Sequence, residues 1–316
     1  MKLHKKNQFI TLVLILIAVI AVGCSTQDLN KDQEVESSDK PVVTVTTSFL
    51  NDMVYQIAGD TVAREMIIPA GEDPHLYVAK PEDLDKLSKG DLILYHGLHF
   101  EGKMVDLLED RGVAVAKNFD ESDIGEFDQD GEIIDDPHFW FDIDLYKKAV
   151  DVASEELQKL LPENKEMYQE NTENYLQELD ELDKYNREEL AKIPDENRYL
   201  ITPHDAFNYF SRRYDMPVIA PQGVSTDAEV AVSEMDNTVN FIVDHQVKAI
   251  FAESTTDPKR MESLKEAAAK KGFEVKVVSG DDQELFSDSL APEGKSGDTY
   301  IDMYKHNTDL IVENLK

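Results

Sequence analysis

Short β-branched runs alternate with helical patterns along most of this chain, and this order constrains the fold more than any other feature. Strands that follow one another with a helix between them pair in parallel, and the helices then cover both faces of the sheet. The alternation therefore predicts an α/β fold. Since four strands occur in each half of the chain, we expect two α/β lobes, each with a roughly four-stranded, mainly parallel sheet.

Hydrophobic periodicity gives the approximate bounds of these elements. In the first half we predict strands at 42–47, 63–68, 92–95 and 113–116, and helices near 49–58, 81–88 and 101–109. In the second half we predict strands at 198–202, 217–220, 249–252 and 274–278, and helices near 205–212, 228–245, 258–271 and 298–315.

A long charged segment, 143–192, separates the two halves, and Pro162 divides it. From 163 to 193 apolar residues recur at helical spacing, with neither Gly nor Pro before Pro194. A helix of about 30 residues spans roughly 45 Å, the height of two lobes. A coiled-coil arm would need a sustained heptad, which the segment lacks. We therefore expect one rigid helix, 162–194, joining lobes at 41–161 and 195–316, in a monomer.

The first 24 residues are typical of a lipoprotein signal peptide. A basic start precedes the apolar run 9–22, which is too short to span a membrane as a helix. Cys24, the only cysteine, follows at once and is the predicted lipid attachment point; the alternative is cleavage elsewhere and an incidental thiol. Residues 25–40 are polar and predict a flexible tether. We expect an extracytoplasmic protein anchored to the cell membrane through this lipid.

The chain is strongly acidic, with a net charge of −33 from 32 basic and 65 acidic residues. This excess argues against binding nucleic acid and against docking on anionic lipid. It suits a cation binder, and it equally suits an acidic surface adapted to a saline or alkaline habitat. The segment 120–136, predicted as a loop, holds nine acidic residues and no basic one.

Pro-His steps are over-represented. With 12 Pro and 8 His among 316 residues, a random order of residues would give roughly 0.3 Pro-His steps, and His-rich signals are rare in general. Three occur, ending in His75, His138 and His204, and the first two lie within Asp-Pro-His. Proline stiffens the backbone around it. Histidines held at stiff corners, far apart in sequence, are what a preformed metal site requires.

Each of these histidines follows a predicted strand or the loop after one, and ligands of open α/β sheets bind outside the carboxyl ends of the strands. We therefore expect a fourth ligand from the loop after the last strand, 279–296. Spacing alone does not choose among its candidates, which are Asp281, Asp282, Glu284 and Asp288. The remaining loop histidines are interpreted as solvated or core residues: His4, His96, His245 and His306.

Six motifs occur together over 42–316: Asp-Pro-His75-Leu-Tyr, Tyr95-His-Gly-Leu-His-Phe-Glu101, Asp-Pro-His138-Phe-Trp-Phe-Asp142, Thr202-Pro-His204-Asp-Ala-Phe, Phe251-Ala-Glu253-Ser and Leu285-Phe-Ser-Asp288-Ser-Leu. With these motifs the chain resembles the metal-binding lipoproteins of bacterial ABC importers for manganese and zinc, the TroA-like cluster A-I family. The resemblance implies two lobes joined by one long helix. It also implies capture of one divalent metal ion and its delivery to a permease and its ATPase.

The resemblance further implies the ligands. In that family the residues corresponding to His75, His138, His204 and Asp288 hold the metal. His99 lies within one motif and is a candidate to line the site. We expect Glu253, at a strand end, to orient a ligand through a hydrogen bond, and the single tryptophan, Trp140, to pack behind His138.

The sequence gives opposing indications of whether the bound ion is manganese or zinc. Many zinc-importing relatives carry a His-rich stretch where this chain has no histidine between His99 and His138, and this favours manganese. Nitrogen ligands instead suit zinc, which usually binds a given site more tightly, and some manganese importers place Glu where this chain has His204. We favour manganese, with zinc next.

Two alternative functions would each require sequence features of their own. A zinc-dependent hydrolase also uses His and Asp ligands, but catalytic zinc needs an open position and a base, and no His-Glu-x-x-His motif is present. A surface adhesin is the other alternative, and nothing in the sequence supplies an adhesive module. We predict a binding protein and not an enzyme.

Overall fold

The computed structural model describes residues 40–129, 132–227, 229–280 and 282–316. The predicted signal peptide, its Cys24, most of the tether, His4 and Asp281 lie outside these residues. Within the described residues, no helix combines the length and apolar character that crossing a membrane requires.

The N-terminal lobe comprises the elements before the long helix. These are β1 (Val42–Val45), α1 (Ser48–Ala58), β2 (Ala63–Met66), α2 (Pro81–Lys89), β3 (Leu92–Tyr95), α3 (Val105–Glu109), β4 (Val113–Ala114), β5 (Gly125–Gln129), β6 (Glu132–Asp136) and α4 (Ile143–Leu160). The long helix is α5 (Lys165–Leu190).

The C-terminal lobe follows the long helix. Its elements are β7 (Leu200–Ile201), α6 (Asn208–Tyr214), β8 (Val218–Ile219), α7 (Val232–Asp244), β9 (Ala249–Phe251), α8 (Lys259–Lys270), β10 (Lys276–Val278) and α9 (Tyr300–Leu315).

The predicted parallel sheet of the N-terminal lobe is confirmed, with strand order β2-β1-β3-β4. Val43 of the inner strand β1 pairs with Arg64 on one side and Leu92 on the other. The side chains of Val43 and Val45 are fully buried, as expected for a strand with neighbours on both sides and helices on its faces. In the C-terminal lobe all four predicted strands form, in two parallel pairs, β7 with β8 and β9 with β10.

The segment 120–136, predicted as a loop, instead contains the antiparallel pair β5 and β6, so that prediction was wrong. Phe127 pairs with Ile134 across the two strands. The hydroxyl of Tyr209, in α6, accepts the N–H of Gly125 at 2.8 Å and donates to the carbonyl of Asp136 at 2.8 Å. The hairpin is thus held by a side chain more than seventy residues away, which local sequence does not reveal.

The long helix packs against both lobes. One face of α5 contacts α1 and α4 of the N-terminal lobe and α9 of the C-terminal lobe. Its buried side chains include Tyr168, Tyr175, Leu179 and Leu182, whereas Met167, also part of the predicted apolar set, is 39% exposed. The predicted helix therefore forms, slightly shorter than expected. The lobe boundaries at 161/162 and 194/195 stay a prediction.

Candidate metal centre

Four side chains from four loops converge in one buried cluster: His75, His138, His204 and Asp288. Three loops follow the carboxyl ends of parallel strands, β2 for His75, β7 for His204 and β10 for Asp288, and His138 follows β6. His75 is 4% exposed and the other three are fully buried. The structure therefore brings together the four residues that the family resemblance implies.

The distances within the cluster suit a single metal ion. One ligand atom of each residue lies within 4.8 Å of all the others. The Nε2 atoms of His75 and His138 are 3.4 Å apart. Asp288 Oδ1 lies 3.3 Å from His138 Nε2, and its Oδ2 lies 3.3 Å from His204 Nε2. Four ligands at 2.0–2.1 Å from a tetrahedral ion would be roughly 3.4 Å apart.

Local backbone geometry holds His138. Asp136 Oδ1 accepts the N–H of His138 at 3.0 Å, closing an Asx turn across Pro137. The same oxygen lies 2.7 Å from Nδ1 of the imidazole, which leaves Nε2 to face the cluster. Burial lowers the pKa of His138, but the carboxylates of Asp136 and Asp288 outweigh burial and raise this pKa to about 9.

Glu253 orients His204 in the same way. Nδ1 of His204 lies 2.5 Å from Glu253 Oε2, and both side chains are fully buried. Burial lowers the pKa of His204, but Glu253 and Asp288 outweigh it and raise the pKa well above its ordinary value. Burial raises the pKa of Asp288, but His204 and His138 hold it well below its ordinary range. The opposite charges that the buried cluster brings together therefore shift the pKa values of His204 and Asp288 in opposite directions.

His75 is held mainly by packing and by its backbone. Its N–H donates to Asp73 Oδ1 at 2.9 Å, in a second Asx turn across proline. The edge of its ring meets the Phe100 ring at 90°, with centroids 5.1 Å apart. Burial lowers the pKa of His75 to about 3, so its imidazole is neutral at neutral pH and able to accept a metal ion.

Trp140 lies where the sequence analysis expects it. Its ring packs edge-on behind His138, with centroids 5.2 Å apart. Its indole N–H donates to the carbonyl of Ser287 at 2.9 Å, next to Asp288 in the chain. One fully buried side chain thus supports ligands from both lobes.

His99 does not line the cluster, contrary to our expectation. Its φ of 59° lies in the left-handed region, and its side chain is exposed. Because this turn directs His99 outward, the next residue, Phe100, packs on His75 instead. His96 is buried but bonds Thr47 Oγ1 through Nε2 at 2.7 Å, outside the cluster.

Four more residues of the sequence analysis lie apart from the cluster: His245, His306, Asp282 and Glu284. His245 stacks on Phe241, and His306 Nε2 lies 2.9 Å from the carbonyl of Glu284. Of the acidic candidates in the last loop that the structure describes, only Asp288 joins the three histidines.

Besides Glu253 and Trp140, two residues support the ligands from outside the cluster, and sequence reasoning missed both: Asp73 and Asp136. The Asp of each Asp-Pro-His motif was visible, but only proline was considered as the source of stiffness. Asp73 and Asp136 each bond the backbone N–H of the histidine two residues later. The repeat of Asp, and not only of Pro-His, was the signal that could have revealed them.

The cluster is chemically suited to a cation. His204 Nε2 and Asp288 Oδ1 are buried and make no hydrogen bond, and each only has a charged neighbour of the cluster at 3.3 Å, an arrangement that polar atoms seldom adopt without a further partner. Three imidazole nitrogens and a carboxylate are ligands that divalent transition metals accept. Both carboxylate oxygens of Asp288 face histidine nitrogens, so either or both are placed to coordinate.

A family model matches nearly all of the described chain. The model of ZnuA, described as the periplasmic component A of a zinc-uptake complex, matches residues 43–314.

Proteins with named metals are similar over nearly the whole chain. The manganese-binding lipoprotein MntA of Bacillus subtilis is 36% identical over 313 residues, which covers 96% of this chain and 97% of that protein. The zinc-binding protein TroA of Treponema pallidum is 37% identical over 308 residues, or 95% and 98% of the two chains.

Solved structures share the fold. The periplasmic zinc-binding protein TroA of Treponema pallidum superposes with a TM-score of 0.82 at 38% identity, covering 87% of this chain and 99% of that one. A second structure, described for the metal-binding specificity of TroA, has a TM-score of 0.87 at 66% identity and covers 88% and 100%.

Proposed function

The chain belongs to the family of periplasmic zinc-uptake component A proteins, and we propose that it captures a divalent transition metal ion and delivers it to the permease of an ABC importer. The single observation that carries this proposal is the cluster of His75, His138, His204 and Asp288, whose ligand atoms lie within 4.8 Å of one another. These four residues are the proposed ligands of one ion.

We favour manganese as the cargo, with zinc next. Manganese prefers more oxygen ligands than zinc does. Asp288 directs one oxygen toward His138 and the other toward His204, each at 3.3 Å. A carboxylate that coordinates through both oxygens would supply a three-nitrogen, two-oxygen set. The relatives support both ions, since one is named for manganese and another for zinc.

A binding role fits this site better than hydrolysis does. Catalytic zinc keeps one position open to water and substrate. Here the four proposed ligands are between 0% and 4% exposed, so a substrate would have no direct access to the ion. The names of the relatives compared above describe metal binding, the family model describes zinc uptake, and none is named for catalysis. We infer that the protein is not an enzyme.

We further propose that a lipid on Cys24 anchors the protein to the extracytoplasmic face of the cell membrane. Names of several relatives include the word lipoprotein, and the sequence before Cys24 has the order of a lipoprotein signal. A tethered monomer would remain close to the permease and its ATPase while it exchanges metal.

Replacing a proposed ligand tests the function. We expect the wild type to bind one manganese or zinc ion per chain, and His75→Ala or His204→Ala to lose this binding, because a buried ion with three ligands is left under-coordinated. Metal analysis after dialysis measures the stoichiometry, and a manganese–zinc competition ranks the two ions.

His99→Ala is the matched control, since it removes an exposed histidine near the site and should leave binding at one ion per chain. Full stoichiometry in His204→Ala would contradict the proposed site. Hydrolytic turnover that disappears in the same ligand variants would favour an enzyme instead.

A further inference from the structure

The ligands of the two lobes are supported in different ways. His204, in the C-terminal lobe, bonds Glu253 of the same lobe. His75 and His138, in the N-terminal lobe, are each held by an aspartate two residues earlier in the chain. The second carboxylate oxygen of each aspartate accepts a hydrogen bond from the C-terminal lobe. The N-terminal ligands are therefore positioned through contacts that cross between the lobes.

The first crossing joins Asp73 to Thr226. Asp73 Oδ1 accepts the N–H of His75 at 2.9 Å, and its Oδ2 accepts the Thr226 hydroxyl at 2.6 Å. Thr226 is buried and belongs to the loop between β8 and α7. The side-chain amide of Gln222, in the same loop, donates to the carbonyl of Thr226 at 2.9 Å. Gln222 also forms a parallel β-bridge with His204, which ties the loop to its own lobe.

The second crossing joins Asp136 to Asn208. Asp136 Oδ1 bonds both the backbone and the ring of His138, and its Oδ2 accepts the side-chain amide of Asn208 at 3.1 Å. Asn208 is the first residue of α6. The two Asp-Pro-His motifs thus share one arrangement, in which a carboxylate links a histidine of one lobe to a polar side chain of the other.

We propose that Thr226 and Asn208 are positioning residues that make the metal affinity depend on contact between the lobes. This inference rests on the proposed function of the cluster. An Asx turn across proline is a small closed ring, so the position of the aspartate determines that of its histidine. When the lobes separate, each aspartate loses its partner on the other lobe, and His75 and His138 are free to move from their ligating positions. A metal ion that binds more tightly when the lobes are in contact is therefore released when that contact is lost.

Thr226→Val tests the proposal because valine has nearly the shape of threonine and lacks the hydroxyl. Residues that orient metal ligands typically change metal affinity about 10- to 100-fold when they are replaced. We expect metal to dissociate about 10-fold faster or more when a chelator is added in stopped flow, while the stoichiometry stays at one. Thr226→Ser should restore the wild-type rate, since it restores the hydroxyl.

Ser225→Ala is the matched control in the same loop, because the Ser225 hydroxyl accepts the N–H of Asp227 within the loop. It should dissociate metal at the wild-type rate. Metal-free Thr226→Val should melt only a few degrees below the metal-free wild type, as the loss of one buried hydrogen bond explains. A loss of metal-free stability that accounts for the faster release would indicate a merely structural role and would overturn the proposal.

A double-mutant cycle separates this contact from other effects. In an Asp73→Asn background, Thr226→Val should change the dissociation rate much less than it does in the wild type, because the charge-assisted hydrogen bond is already weakened. Wild-type release from Thr226→Val alone would reject the crossing contact and leave the proposed function intact. Failure of the wild type to bind manganese or zinc would instead reject the proposed function itself.

Discussion

Behind His75, a short loop holds several residues in the left-handed region of backbone space. Gly97, Leu98, His99 and Gly102 have φ values of 90°, 53°, 59° and 46°. The buried Glu101 secures this loop, because its Oε1 accepts the N–H of His96 and the Thr46 hydroxyl, both at 2.7 Å. A strained backbone persists only where contacts with the surrounding structure hold it in place, and here the strained loop lies behind the proposed ligand His75.

Gly102 allows the closest approach to His75. A Cβ at this position would lie 2.6 Å from the carbonyl oxygen of His75, and the φ of 46° disfavours any side chain. We expect Gly102→Ala to destabilise the protein by about 1–3 kcal/mol and to weaken metal binding, because the backbone of His75 must shift. Isothermal titration with manganese and urea unfolding measure the two effects.

Gly272→Ala separates the effect of backbone strain at positive φ from the effect of a close contact with His75. Gly272 has a φ of 87°, yet a Cβ there would meet nothing within 4 Å. This control should lose stability and keep wild-type affinity for manganese. Equal affinity in Gly102→Ala and the wild type would show that the loop does not position His75.

At the scale of elements, α5 connects the lobes through side chains on one face. Leu179 and Leu182 are buried where the helix packs against neighbours from both lobes. Near its C-terminal end, Asp183 accepts a hydrogen bond from Arg213 of the C-terminal lobe at 2.7 Å. Arg213 also bonds Asp142, the N-cap of α4, at 2.8 Å. The helix is thus held by apolar packing along its length and by ion pairs near one end.

Truncation of the buried face should be costly. We expect Leu179→Ala to lower the free energy of unfolding by about 2–5 kcal/mol, because it leaves a cavity at a fully buried position. Met167→Ala on the same helix, at a position 39% exposed, should change it by less than about 0.5 kcal/mol. Urea unfolding of both variants measures the difference, and similar losses would place the packing face of α5 elsewhere.

At the scale of the whole molecule, Asp52 joins the two ends of the described chain. Its Oδ2 accepts the N–H of Tyr300, the first residue of α9, 248 positions later in the sequence. Its Oδ1 accepts the side-chain amide of Gln56 at 2.9 Å. Burial raises the pKa of Asp52 to about 6, with Asp298 adding to the shift and Arg64 opposing it. The carboxylate therefore costs stability once it ionises.

The pH dependence follows from the direction of this shift. An unfolded aspartate ionises near 3.8 and folded Asp52 near 6, so its contribution to stability is largest below pH 4 and falls by roughly 3 kcal/mol as pH rises through 6. Asp52→Asn removes this titration. We expect the difference in unfolding free energy between variant and wild type to change between pH 4 and 7 and then to level. A constant difference in unfolding free energy between Asp52→Asn and the wild type from pH 4 to 7 would contradict the raised pKa of Asp52.

Much of the fold was predictable because the relevant signals are local. Helical spacing, β-branched runs and the absence of Gly and Pro before Pro194 act over a few residues, and they predict α5 and all the parallel strands. Pro-His steps likewise indicate His75, His138 and His204 from their immediate neighbours. The choice of Asp288 among four acidic residues required the family resemblance, since spacing in that loop gives no preference.

What the sequence by itself determined was therefore the order of elements and the stiff corners that carry the histidines. The tertiary structure alone decided that β5 and β6 pair, that His99 faces outward while Phe100 contacts His75, and that Thr226 bonds Asp73. The physical reason is the separation along the sequence over which each kind of interaction acts. Backbone preferences are set by adjacent residues, whereas Asp73 and Thr226 lie 153 positions apart and meet only where the packed lobes bring them together.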